Sequence, residues 1–162
     1  YDVFHATQYY KRYLEANPSH LDARRKLATC YRKAGDNATC LFHLALTEKA
    51  LNMDSLSMTH FNQSLEVSLP KGRALHTYKW LADLYFQHHR YAEAGRDFEL
   101  CIVYDEEDAP LNYYNAAQMF IASKNKLKAK LYLQMFIANA NRLEDKKEAE
   151  QLISKAKEQL KQ

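Results

Sequence analysis

The sequence predicts an all-α chain of antiparallel helix pairs, and three observations carry that expectation. Apolar residues recur three and four positions apart along nearly the whole length, the period of one helix face. Only three Gly and three Pro occur in 162 residues, too few for the many tight turns of a sheet-rich fold. Ala, Leu, Lys, Glu and Gln, which favour helix, are abundant. With 47% apolar residues the chain can bury a core.

The breaks between helices fall at intervals. A first helix starts near Asp2 and ends at Asn17-Pro18-Ser19, and a second ends at Gly35-Asp36-Asn37. Residues 38–69 contain neither Gly nor Pro and stop at Leu69-Pro70-Lys71-Gly72. That stretch admits two readings: a separate helix over 55–70, capped by Asp54 or Ser55, or one helix running long through residues 52–55. The separate helix is preferred. The following helix, with the stripe Leu81, Ala82, Leu84 and Tyr85, ends at His88-His89-Arg90. Further breaks come at residues 105–110, at Lys124-Asn125-Lys126 and at Asn139-Ala140-Asn141. A last amphipathic helix, residues 143–160, lines up Ala149, Leu152, Ile153, Ala156 and Leu160. The expectation is about eight helices of roughly 13–17 residues with short connections.

The chain also repeats itself. Ala82 and Ala117 stand 35 residues apart, as do Ala94 and Ala129. Tyr78, Leu81-Ala82, Tyr85, Ala94, Phe98 and Cys101-Ile102 find counterparts in Tyr113, Ala116-Ala117, Phe120, Ala129, Leu133 and Phe136-Ile137. Leu27-Ala28, Tyr31 and Gly35-Asp36 give the first-helix pattern once more, and Ala6, Tyr10, Tyr13-Leu14 and Asn17-Pro18 the second-helix pattern. The small residues let paired backbones approach, and a bulky replacement there would cost roughly 1–3 kcal/mol in overpacking. Ala28 precedes Ala82 by 54 residues, 19 more than the 35-residue spacing, which is one extra helix.

These residues resemble the tetratricopeptide-repeat (TPR) family, whose unit is an antiparallel helix pair with an aromatic, Leu-Gly and Tyr in the first helix, Gly-Asp-Tyr at the turn, then Ala, an aromatic and Ala-Leu in the second. Residues 75–108 fit best and 110–141 less closely. The resemblance implies a right-handed superhelix of stacked pairs, an α-solenoid: a partial repeat 1–18, a repeat 21–54, the inserted helix 55–70, repeats 75–108 and 110–141, and a capping helix 143–162.

Little in the sequence points to chemistry. There is no glycine-rich phosphate loop and no Gly-x-Ser-x-Gly elbow. Cys30, Cys40 and Cys101 are odd in number and widely spaced, unlike a disulfide framework or a zinc site, and read as buried thiols. Asp105-Glu106-Glu107-Asp108 lacks the pattern of a calcium loop and reads as a solvated turn, as does His88-His89. His43 and His60 could face either core or groove. Asn37-Ala38-Thr39 and Asn62-Gln63-Ser64 fit the glycosylation sequon but arise often by chance. A net charge of +3 implies neither nucleic acid nor membrane as partner, and no apolar run approaches a membrane span. The chain opens on Tyr1 inside an expected helix, which reads as a piece of a longer protein.

The expected function is non-catalytic: a scaffold, without cofactor or metal, that binds a protein or peptide in a concave groove. The resemblance implies that this groove is lined by a stripe from each first helix: Arg25, Thr29 and Arg32, with Asp22 and Lys33; His76, Lys79, Asp83 and Phe86, with Gln87; and Leu111, Tyr114 and Gln118, with Ile121 and Ala122. That stripe runs from basic to apolar, so it would suit a ligand with an acidic segment followed by an apolar anchor. TPR domains that clamp a chaperone's terminal carboxylate use lysine, asparagine, asparagine, lysine and arginine at places held here by Arg25, Thr29, Trp80, Leu111 and Asn115, so that ligand is not expected. Two other classes compete: a helical-repeat nucleic-acid binder, served by Lys11-Arg12, Arg24-Arg25-Lys26, Arg32-Lys33 and the lysines of 124–130, and a structural spacer that self-associates.

Overall fold

The computed structural model describes residues 2–105 and 110–161. Among them are nine α-helices: α1 (Val3–Ala16), α2 (Leu21–Lys33), α3 (Asn37–Ala50), α4 (Asp54–Glu66), α5 (Lys71–Gln87), α6 (Tyr91–Tyr104), α7 (Pro110–Ala122), α8 (Lys126–Asn139) and α9 (Lys146–Gln159). No strand occurs among the described residues. α1 packs on α2, α2 on α3 and α3 on α4, and likewise α6 on α7, α7 on α8 and α8 on α9, as short connections demand. The chain divides into two compact units, Tyr1–Thr77 and Tyr78–Gln162, with the division inside α5.

Four of the connections share one construction. Gly35, Asn52, His89 and Lys124 each adopt positive φ between two helices. At each, the N–H of the next residue reaches back to the carbonyl five residues earlier: Asp36 to Tyr31, Met53 to Glu48, Arg90 to Tyr85 and Asn125 to Phe120, at 2.8–2.9 Å. This Schellman closure satisfies carbonyls that a helix end would otherwise leave bare. Asn52 thus ends α3 and makes α4 a helix of its own. The expected cap by Asp54 or Ser55 is absent: the N-cap is Met53, without a side-chain bond. The backbone turn, not a capping side chain, fixes where α4 begins.

Two other ends differ from expectation. α5 starts at Lys71, four residues before position 75, because Pro70 already holds the φ that a helix start requires. The last helix starts at Lys146 rather than 143, where Asp145 accepts from the Lys147 and Glu148 amides, and residues 140–142 form a 3-10 turn.

In the first unit, Leu27, Ala28 and Tyr31 of α2 pack with Cys40 of α3, flanked by Tyr10 and Leu14 of α1. The α3–α4 contact is tighter. Ala45, Ser57, Phe61 and Ser64 are all 0% exposed, and the Ser57 hydroxyl donates to the Ala45 carbonyl at 2.9 Å. Small residues bring those backbones close, and the hydroxyl loses no hydrogen bond on burial.

In the second unit, Ala82, Ala94 and Ala117 are fully buried and Ala129 nearly so. Gly95 goes further. A Cβ there would lie 2.8 Å from Cε1 of Phe120. That ring cannot easily retreat: it stacks on Tyr132 at 5.8 Å and carries the Lys128 ammonium 4.9 Å from its centre. Glu99 fastens the arrangement, accepting from Lys128 Nζ at 2.8 Å and from the Tyr132 hydroxyl at 2.9 Å. Gly95→Ala is therefore expected to destabilise this unit by about 1–3 kcal/mol, although alanine is the better helix former by about 1 kcal/mol. Urea unfolding followed by Trp80, the chain's single tryptophan, measures it. An unchanged midpoint would mean that Phe120 yields.

Candidate functional site

The ten residues expected to line a groove divide between the units. In the first, Arg25, Thr29 and Arg32 are exposed on one face of α2, opposite the buried Leu27, Ala28 and Tyr31. The pattern is direct: three polar side chains at i, i+4 and i+7 share a face. Thr29 turns its hydroxyl back to the Arg25 carbonyl at 3.0 Å, which leaves the two guanidinium groups as that face's cations. His76 is exposed on α5.

In the second unit Lys79 is exposed and Asp83 half-exposed, accepting from the Gln87 amide at 3.2 Å. Phe86 is 48% exposed, its ring 6.0 Å from that of Tyr91, and Leu111 is 37% exposed. The remaining two depart from expectation. Tyr114 is 8% exposed and packs at a tilt against Phe136, ring centres 5.0 Å apart, with its hydroxyl buried and without a partner among the described residues. It is a core ring and offers a ligand no surface. Gln118 exchanges two amide hydrogen bonds with Gln159 of α9, each 3.0 Å. Both follow from α9, whose Leu152, Ile153 and Ala156, with Leu160 at its C-cap, pack on the cluster of Tyr113, Tyr114, Leu133 and Phe136. The face of α9 that the sequence marks as apolar is the face that packs; which residues of α7 it would cover, periodicity could not say.

Two buried groups have unusual electrostatics. His43 on α3 stacks parallel to Tyr31, rings 5.4 Å apart, and its Nδ1 is buried without a partner among the described residues. Burial pushes its pKa down to about 4, helped by Arg24, Arg73 and Lys11. Asp97 on α6 buries Oδ2, again without a partner among the described residues, and burial pushes its carboxyl up to about 7 against the pull of Arg96. His60, by contrast, meets the Glu48 carboxylate at 2.7 Å. No cluster of three or more His, Cys, Asp or Glu suited to a metal occurs among the described residues. Cys30, Cys40 and Cys101 are buried and unpaired, and burial pushes Cys101 up to about 12, the opposite of what a thiolate nucleophile needs. Of the acidic run, Asp105 accepts from Asn112 at 2.7 Å; Glu106, Glu107 and Asp108 lie outside the described residues. Among the described residues no helix is long and apolar enough to cross a membrane.

Neither a family model nor a curated protein sequence matches the chain. Its structure is similar to a solved one described as "MamA RS-1 ArsTM double mutant". The likeness has a TM-score of 0.65 and 14% identity, over 97% of this chain and 93% of that one. At that identity it bears on fold alone: the chain has a TPR-like helical-repeat fold.

Proposed function

We propose that the chain is a non-catalytic scaffold that binds a peptide segment of another protein on the face its first helices leave open, as a module of a larger polypeptide. In this reading the repeats are those expected from the sequence, with α4 added as a hairpin partner of α3 and α9 closing the array. The observation that carries the proposal is the α2 face. Arg25 and Arg32 stand exposed on a helix whose other side is committed to the core, and neither forms an ion pair among the described residues. Phe86 and Leu111 add apolar side chains at the surface of the second unit. A carboxylate-rich stretch suits the α2 face, and an apolar anchor suits the surface of the second unit.

The test is a pull-down read by mass spectrometry, comparing the wild-type chain with an Arg25→Glu/Phe86→Ala variant. Tyr114 is left alone because cutting it would damage the core. A protein retained by the wild type and at least about tenfold depleted from the variant supports the reading. Equal recovery from both removes the α2 and α5 faces as the site. Capture of RNA with a steep salt dependence would favour the nucleic-acid class instead.

A further inference from the structure

The second unit contains a concavity of about 510 Å³ where the α7–α8 turn meets the end of α9. Its apolar wall comes from Phe120 and Ile121 of α7 and from Leu160 beside α9. Lys124, Lys126 and Lys130 also line it, and no acidic residue does. None of the three ammonium groups forms an ion pair or hydrogen bond among the described residues. The neighbouring Lys128 is different, turned to Glu99 on α6.

The placement is electrostatically unfavourable for the helix itself. Lys126 is the first residue of α8, and Lys124 and Lys130 flank its first turn, where the helix dipole is already positive and which contains no acidic residue of its own. A protein stabilised only from within would put carboxylates there. Three unpaired cations around an apolar wall, in a space of the size that ligand pockets occupy, call for an anion carried on an apolar group.

From this we infer that the concavity is a second binding site, taking a peptide residue in which a carboxylate stands beside an aromatic or leucine side chain. The inference rests on the scaffold reading above and adds a site that the first-helix stripe does not include. The lysines engage the carboxylate, and the exposed Ile121 and half-buried Leu160 take the side chain. Lys124, held at positive φ by the turn, has a fixed backbone at the rim.

The experiment uses the whole chain, 15N-labelled, with N-acetyl-phenylalanine as the probe and its neutral amide as the control. The acid is expected to shift the backbone amides of residues 120–130 and 159–161, with affinity in the millimolar range. The neutral amide should bind at least about fivefold more weakly, and a Lys124→Gln/Lys130→Gln variant should weaken the acid by a similar factor. Equal binding of acid and amide, or shifts confined to other residues, would overturn the site. So would a Gln variant whose melting temperature falls while its affinity holds, since the lysines would then serve the carbonyl end of α9. The outcome is separable from that of the pull-down: the acid can fail here while Arg25→Glu/Phe86→Ala still loses its partner, and the reverse.

Discussion

Asp97→Asn is expected to raise stability at pH 8 by about 2–4 kcal/mol and to leave it nearly unchanged at pH 4. The Asp97 carboxyl titrates at about 7 in the folded chain against an ordinary 3.8, because burial disfavours the anion. Arg96 pulls the other way and Glu93 adds to the rise, and Tyr78 and Cys101, both raised to about 12, share the same buried neighbourhood. The folded state therefore keeps a proton that the unfolded state releases. Below pH 3.8 both states are protonated and the group costs nothing. As pH climbs from 3.8 to 7 stability falls, and above 7 the full penalty is present. An uncharged amide of the same shape abolishes that slope. Urea unfolding followed by Trp80, which lies in the same unit, reports it directly. Parallel pH profiles for wild type and variant would show that the carboxyl finds a partner.

How much of this was legible beforehand depends on the range of the interaction. Helix positions follow from periodicity and breakers, both local, and the spacing of Ala28, Ala82, Ala94 and Ala117 marks close helix approach because only small side chains permit it. Gly35 was readable as a helix stop. Asn52, His89 and Lys124 adopt the same positive φ without being glycine, so the common turn is visible only in the backbone. Tyr114 was misplaced for a related reason. Its position on α7 fits a groove wall, but its burial depends on α9, about 40 residues later, and on Phe136. Gln118 follows the same logic through Gln159. The lysines of 124–130 were visible as a basic group, but only the fold separates Lys128, paired with Glu99, from the three that face a concavity. Asp97 gave no signal at all, since a lone carboxylate in a helix reads as surface until its neighbours are known.

The first unit should respond to pH in the opposite sense. His43 has a folded pKa of about 4 against an ordinary 6.5, with burial the largest cause. Cations surround it: Lys11 lies 5.6 Å and Arg73 5.8 Å from the centre of the Tyr31 ring on which His43 stacks, and Arg24 adds to the repulsion while Asp36 alone opposes it. An imidazolium would be another positive charge against that ring, without a hydrogen-bond partner for Nδ1. The unfolded state takes up the proton first, so stability is whole above pH 6.5 and is lost as pH falls toward 4, by about 3 kcal/mol. His43→Phe keeps a flat ring over Tyr31 and removes the titration. It should flatten the profile between pH 6.5 and 4 and change stability near neutrality by less than about 1.5 kcal/mol. The amide signals of Leu27, Ala28 and Cys40, followed through urea titrations at the two pH extremes, isolate this unit from the other. If the variant lost stability in acid as the wild type does, the loss would belong to another group.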